Sequence, residues 1–362
     1  MHHSISNIGI LTWHYYPNFG SALQAFALQC TIESLGYKAT LVNYHNPKFG
    51  PVSSLRTLVQ VFLGNTIGLF WHRFLYAPQC FSYRYHHLSK LTTDVKLLPK
   101  LTKKMDVLVC GSDQIWAPNV YNSVYFAAFA NKDIRKVSYA ASIGLNDIPS
   151  DLVPKYKKHL KDFYAIGIRE EEGKELLKAK CDIESTVVID PTLLLDVSIY
   201  SKIMRPVRGI KQPYLFCYFL NKEHQYKDTV QAYAHKHRLQ VVGVSSNAEN
   251  DGWMTLLTGL GADHFLWLIS HADTIMTDSY HGSIFSLLFH KNFWIFQRFA
   301  EDSPICQNSR IRQLCNSFRL GHRIISATLK LDESCPIDYV YFESQLKSLR
   351  ASSLGFLKQA LN

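Results

Sequence analysis

Residues 8–44, IGILTWHYYPNFGSALQAFALQCTIESLGYKATLVNY, decide the fold class. A short β-branched run at 8–12 meets a polar loop, a helical pattern follows from about Ser21 to Leu35 until Gly36 ends it, and a second strand-like run occupies 39–44. Strand, helix, strand in this order is the unit of parallel α/β sheets. The rhythm continues with apolar runs at 106–110, 136–141, 164–169 and 186–190. After Asp190 comes PTLLLDVSIYSKIMRPVRGIKQP, with three prolines and little alternation, which reads as an interdomain crossing. Strand-like runs then restart at 214–220, 239–246, 273–279 and 293–296, between helical patterns near 223–237, 263–271, 282–290 and 310–319.

A chain of 362 residues exceeds what one core usually supports. The expectation is therefore α/β, with two Rossmann-like domains facing a cleft. Residues 1–192 form the first, interrupted by a largely helical, basic insertion at about 45–105. Residues 193–345 form the second, and 346–362 form a C-terminal helix packing back across both. Ligands of such sheets bind outside the carboxyl ends of the strands.

Polar clusters stand at those ends. The richest is TIMTDSYHGSIFSLLFH at 274–290, where an apolar strand meets a turn of small and polar residues and a helix begins. A helix start leaves N–H groups without intrahelical partners and carries partial positive charge, so it suits an anion. His281 beside it supplies a group able to move a proton near neutral pH. Ser279, Gly282 and Ser283 complete that turn, and the bland alternative is a histidine that only caps the helix.

In HYYPNFGSALQAFAL, at 14–28, Tyr16, Asn18 and Gln24 are polar candidates at a strand end, and Gly20 lets the backbone approach a bound group; Asn18 and Gln24 also fit plain helix-start roles. The motif is not G-x-G-x-x-G, so a dinucleotide site is not indicated. In GSDQIW, at 111–116, Ser112 and Gln114 flank Asp113, a candidate base or sugar-hydroxyl acceptor, and Trp116 offers a flat apolar face for a pyranose ring. The competing reading is an N-cap aspartate and a core tryptophan. In GIREEEGKELL, at 167–177, Arg169 stands at a strand tip, where its fork suits a carboxylate or phosphate unless Glu170–Glu172 pair with it. Arg310 and Arg312 open another helix in NSRIRQL, at 308–314.

Composition narrows the classes. Hydrophobic content of 47% with 19% charged residues describes a folded chain, and a net charge of +10 favours anionic partners. No nucleic-acid-binding signature accompanies the basic residues. From Arg73 to Lys104 seven basic residues face one acid, Asp94, and the neighbouring histidines at 86 and 87 read as solvated. Eight scattered cysteines without a C-x-x-C pair argue against zinc ribbons, iron–sulfur clusters and redox dithiols and point to a reducing compartment. The start, MHHSISNIGILTW, lacks the pattern of a secretory signal, so a cytoplasmic location is expected. The apolar stretch at 57–71 is too short and too broken to cross a bilayer. It either packs as a helical insertion or lies on an anionic membrane surface. No H-E-x-x-H, P-loop or nucleophile elbow is present, and no metal is expected.

Seven blocks, NFGSALQAFALQ, VCGSDQIWAPN, VSYAASIG, IGIREEEGKELL, VIDPTLLL, FLWLISHADTIMTDSYHGSIFSLLFHKNF and NSRI, resemble in that order the polysaccharide pyruvyl transferase family, over roughly residues 8–325. The resemblance implies a fold like two-domain GT-B glycosyltransferases. It implies phosphoenolpyruvate as donor, on the second domain with Ser279, Gly282 and Ser283, and no cofactor. It implies a cell-surface saccharide or its lipid-linked precursor as acceptor, on the first domain with Tyr16, Asn18, Gly20, Gln24, Ser112, Gln114 and Trp116. Separately, contact of the basic insertion with an anionic membrane would bring the chain to the inner face of the cytoplasmic membrane. By the same resemblance His281 matches the family histidine of the donor site, and Arg169 an arginine that contacts phosphoenolpyruvate. Where many members carry Arg two residues before that histidine, this chain has Ser279, as in a DSFHG-type subgroup; Arg310 or Arg298 is then expected to supply the charge. Two other readings fit the architecture: a nucleotide-sugar glycosyltransferase and a non-catalytic saccharide-binding protein.

Overall fold

The computed structural model describes residues 5–16, 18–47, 79–220, 226–245, 252–300, 303, 306–326 and 331–362. Two six-stranded sheets organise them, with parallel pairing throughout both. The first contains β1 (Asn7–Leu11), β2 (Lys38–Leu41), β3 (Val107–Cys110), β4 (Arg135–Ala141), β5 (Ala165–Ile168) and β6 (Thr186–Val187), in the order β2-β1-β3-β4-β5-β6. The second contains β7 (Tyr214–Phe219), β8 (Gln240–Ser245), β9 (Thr255–Leu256), β10 (Thr274–Thr277), β11 (Asn292–Phe296) and β12 (Ile324–Ile325), in the order β12-β11-β10-β7-β8-β9. Strand order reverses between β1 and β3 in one sheet and between β7 and β10 in the other. The loops leaving these four strands open a crevice at each switch point. Together the two lobes make a GT-B-like α/β architecture.

Continuous apolar runs become these strands because a parallel strand is covered on both faces. Every residue of β3, β7 and β10 is buried. The two-residue strands β9 and β12 left no alternation to read, and the helix Val153–Leu160 (α2) was not anticipated.

Helix α1 (Phe19–Ser34) joins the lobes. Of its 16 residues 13 are buried, so it has no solvent face, as befits a helix packed on two sides. Ala25, Leu28 and Ile32 cover the first sheet, while Phe19, Ala22, Leu23 and Phe26 enter the core of the second lobe. There they meet Phe265 of α4 (Ala262–His271) and Phe285 of α5 (Tyr280–Leu288), helices that follow α3 (Lys227–His237). After α6 (Ser309–Phe318) the chain ends in α7 (Tyr339–Leu361), about 35 Å long at 1.5 Å per residue. Phe342 and Leu346 of α7 pack in the second lobe, and Leu357 and Leu361 in the first. Between them the Arg350 guanidinium donates to the carbonyls of Leu193 and Leu195 at 2.6 and 2.7 Å, on the crossing segment.

The insertion is described from residue 79 onward. The apolar stretch at 57–71 and Arg73 lie outside the described residues. Residues 79–85 are helical, and Arg84 pairs with Asp263 of the second lobe at 3.1 Å. His86 corrects the expectation of a solvated histidine: it is buried, its Nε2 lies 3.1 Å from the carbonyl of Ala22, and burial first and then the neighbouring His14 push its pKa down to about 3. His87 is exposed beside Glu33. Among the described residues no helix is long and apolar enough to cross a membrane.

Candidate active site

The loop leaving β1 carries Trp13, Tyr16 and Asn18. Asn18 has an extended backbone, and its side-chain oxygen accepts from the N–H groups of Gly20 and Ser21 at 2.9 and 3.3 Å, starting α1 as an N-cap. The loop leaving β3 carries Asp113, whose Oδ2 accepts from Ser21 Oγ at 2.5 Å and whose Oδ1 accepts from Gln114 N at 2.8 Å. Behind these two loops Gln24 stitches them together. Its amide donates to Thr12 Oγ1 and the Trp13 carbonyl, both at 2.9 Å, and its oxygen accepts from Ser112 N at 3.0 Å. Gln24 and Ser112 are fully buried, so neither is placed to touch a ligand; they fix the two loops.

In the second lobe, Thr277 Oγ1 donates to the Tyr218 carbonyl at 2.6 Å, and Ser279 Oγ accepts from Gly282 N at 3.2 Å, capping α5. Gly282 is pressed on Thr277, and Ser283 Oγ turns back to the Ser279 carbonyl at 3.0 Å. These two expected donor residues are therefore internal to the turn, while Ser279, Tyr280 and His281 look outward. Two further corrections concern bulk and space. Trp116 is wholly buried, stacked on Phe126 with centroids 5.3 Å apart, and its Nε1 donates to the Tyr125 carbonyl at 3.0 Å; it is core, not a sugar platform. Gly20 does give close approach, but the group that approaches is the His281 imidazole: a Cβ there would strike its Nδ1.

Asp190, which sequence reasoning did not single out, joins the lobes. It is fully buried; Oδ1 accepts from the N–H and Oγ1 of Thr192 at 3.0 and 2.7 Å. Oδ2 accepts from Arg169 Nη1 at 2.8 Å and Ser112 Oγ at 3.2 Å, and lies 3.5 Å from His281 Nε2. Burial alone would raise this carboxyl, yet His281 and then Arg169 outweigh it and hold the group well below the usual carboxylate range. The available signal was an aspartate just beyond an apolar run and before Pro191, at a strand end.

Arg169 thus pairs with Asp190 rather than with Glu170–Glu172. Its guanidinium lies 4.8 Å from the Tyr280 ring centre and lines a small cavity of about 30 Å³ behind that ring, not the main cleft. Its Nε and Nη2 are buried without partners. Arg310 lies 5.7 Å from the same ring, and its Nη2 donates to Gln307 Oε1 at 3.0 Å. Gln307 Oε1 also accepts from Gln114 of the first lobe at 3.0 Å and from Arg298 at 3.4 Å. Among the described residues no carboxylate pairs with Arg298 or Arg310. Burial first, then the charges of Arg169 and Arg298, push the Arg310 guanidinium down to about 10. Like charges gathered under low exposure repel one another, and a negative group between them would relieve that cost.

A cleft cavity of about 460 Å³ lies between the lobes. One wall holds Trp13, Tyr16, Asn18, Ser21, Asp113 and Gln114; the facing wall holds Ser279, Tyr280, His281, Arg298 and Arg310. Of the expected residues, Tyr16, Asn18, Asp113, Gln114, Ser279, His281 and Arg310 meet there. Gln24, Ser112, Trp116, Gly20, Gly282, Ser283 and Arg169 do not line it. Trp13, Ser21 and Tyr280 do, unforeseen. The cavity size falls within the range of small-molecule sites. Among the described residues no group of three or more His, Cys, Asp or Glu is placed to hold a metal ion.

A family model described as polysaccharide pyruvyl transferase matches residues 18–298. No curated protein matches the chain. Among solved structures, the UDP-N-acetylglucosamine 2-epimerase of Rickettsia bellii is 10% identical over 99% of this chain and 97% of its own, with a TM-score of 0.50. A Listeria monocytogenes structure assigned to the same activity is 9% identical over 99% and 91%, with a TM-score of 0.52. At such identity the likeness establishes the two-lobed fold alone.

Proposed function

The chain belongs to the polysaccharide pyruvyl transferase family, and from that premise we propose that it moves the pyruvyl group of phosphoenolpyruvate onto a sugar of a cell-surface polysaccharide or its lipid-linked precursor, as a ketal. The observation that carries this reading is the cationic wall: Arg298 and Arg310, unpaired with any described carboxylate, line the cleft with Tyr280 and His281 and face Asp113 across it.

The reaction balances as follows. A proton adds to the methylene carbon of phosphoenolpyruvate, leaving an oxocarbenium-like centre that one sugar hydroxyl attacks. The carbon–oxygen bond to phosphate then breaks, and the second hydroxyl attacks the regenerated cation. Of the two hydroxyl protons, one ends on the new methyl group and one on phosphate. His281 serves as the proton carrier at the donor carbon, and Asp113, held by Ser21, accepts a hydroxyl proton. Arg310 and Arg298 clamp the donor's carboxylate and phosphate, with Ser279 at the helix start. Arg169 acts through Asp190 and Tyr280. Trp13, Tyr16, Asn18 and Gln114 form the acceptor wall. The donor brings its own activated bond, so the reaction as written calls on no cofactor. A lipid-linked acceptor would draw the enzyme to the inner face of the cytoplasmic membrane.

The test compares heat stabilisation by phosphoenolpyruvate and by a UDP-sugar, together with phosphate release from phosphoenolpyruvate by wild type and His281→Ala. Stabilisation by phosphoenolpyruvate and loss of release in the variant are expected. Protection by the UDP-sugar alone would turn the assignment to a nucleotide-sugar glycosyltransferase, and full release by His281→Ala would remove the imidazole from the chemistry.

A further inference from the structure

Six large apolar side chains stand exposed among the described residues, and four of them, Tyr83, Leu91, Val95 and Leu97, fall between positions 83 and 97. Isolated exposed apolar residues need no explanation, but a cluster does. Around the last three stand Lys90, Lys96, Lys100, Lys103 and Lys104, all exposed, with Asp94 as the one acid between Leu88 and Lys104. Asp94 spends a carboxylate oxygen on Lys96 N at 2.9 Å, capping the short helical turn Val95–Leu97. Leu91 and Leu97 are six residues apart, so the apolar side chains lie within about 20 Å of one another whatever the path between them.

The backbone sets which way this strip faces. Leu88 and Thr92 bridge in parallel to Leu41 and Tyr44, so residues 88–92 run alongside the end of β2 and in its direction. Residues 91–97 therefore emerge at the carboxyl end of the first sheet, the end from which Trp13 and Asp113 reach the cleft.

We propose that this strip is a docking surface for an anionic lipid bilayer, with Leu91, Val95 and Leu97 entering the headgroup region and the five lysines meeting lipid phosphates. Charge complementarity selects an anionic partner, and the exposed apolar side chains select a lipid surface over a soluble polyanion. Docking there turns the cleft toward the membrane. The inference rests on the lipid-linked acceptor proposed above, yet it is measured without turnover, so the two stand or fall on separate results.

The experiment is co-sedimentation of the full chain with vesicles of equimolar phosphatidylglycerol and phosphatidylcholine, against vesicles of phosphatidylcholine alone. Wild type is expected to sediment with the first and stay in solution with the second. The triple variants Leu91→Ser, Val95→Ser, Leu97→Ser and Lys96→Glu, Lys100→Glu, Lys103→Glu are each expected to weaken binding about tenfold or more. Thermal melts that match wild type confirm that both variants are folded. Wild type that ignores anionic vesicles, or triple variants that bind like it, overturn the proposal. Loss in the lysine variant with full binding by the serine variant marks attraction to negative charge without entry of the apolar side chains, and also overturns it.

Discussion

His281 Nε2 lies 3.5 Å from Oδ2 of Asp190, and the two residues come from opposite lobes. The same carboxylate oxygen accepts from Arg169 Nη1 at 2.8 Å, so one buried acid holds both the imidazole and a guanidinium in place. Neither lobe alone contains this arrangement. The apolar seam along α1 supplies the energy that keeps the lobes together, and Asp190 turns that contact into a fixed orientation for the proposed proton carrier.

Asp190→Asn should reveal the charge on this acid through pH. A carboxyl depressed in the folded protein stabilises at pH above its unfolded value near 4, and that contribution is lost as pH falls through the folded value. Breaking a buried pair costs about 3–5 kcal/mol. The variant is therefore expected to be less stable by about that much at neutral pH, with the gap narrowing below about pH 4. Urea melts at the two ends of that range read it. A gap that stays constant would mean the lost stability is not electrostatic.

Arg310 should show the opposite sign. A guanidinium held down near 10 by burial and by its positive neighbours costs the fold stability at every pH below that value, and the cost fades only as pH climbs toward 12.5. Arg310→Met is expected to melt higher than wild type without ligand, by roughly 1–3 kcal/mol. It should also lose most of the protection given by phosphoenolpyruvate, and its kcat/KM for that donor should fall about 10- to 100-fold. Thermal melts with and without donor check both halves, and a variant that melts lower when empty would contradict the crowding of charge.

What the chain revealed and what it hid follow from how local each feature is. β1, β3, β7 and β10 were legible because a strand covered on both faces is a continuous apolar run, and the TDSYHGS turn was legible because capping serines and a glycine follow from helix-start chemistry. Asp190 was not, since its partners Ser112, Arg169 and His281 are distant in sequence and meet only through two sheets and α1. Trp13 and Trp116 both stand just past strand ends, so their local sequence does not separate a cleft residue from a core one. Trp116 turns into the core and Trp13 into the cleft, a choice made by the packing of Phe126 and Tyr125.

That difference is measurable. Trp13 lies edge-on to Tyr16 and Tyr125 at 5.5 and 6.3 Å and lines the first-lobe wall of the cleft, the proposed acceptor side. Trp13→Ala is expected to raise the KM for acceptor about tenfold while shifting the melt little, since one sugar-ring contact is worth about 1–2 kcal/mol. Trp116→Ala is expected to cost about 3–5 kcal/mol of stability and to leave acceptor KM unchanged below its melting temperature. The reverse pattern would restore Trp116 as the platform.

Gly20 offers the sharpest check on the position of the imidazole. It lies in the first turn of α1 at negative φ, so alanine suits its backbone, and Gly→Ala inside a helix ordinarily stabilises by about 0.5–1 kcal/mol. Here the added methyl would strike His281 Nδ1, and its Cβ would stand 2.8 Å from that of His281. The ring must turn away from Asp190 or the lobes must part. Gly20→Ala is therefore expected to lower kcat about 100-fold with little change in the KM for phosphoenolpyruvate, because Arg298 and Arg310 stay in place. Gly355→Ala in α7 supplies the control: nothing lies within 4 Å of its new methyl, and it should show the ordinary helix gain with kcat intact. If Gly20→Ala behaves like Gly355→Ala, the imidazole does not rest on α1 as described, and its role in proton transfer loses its structural support.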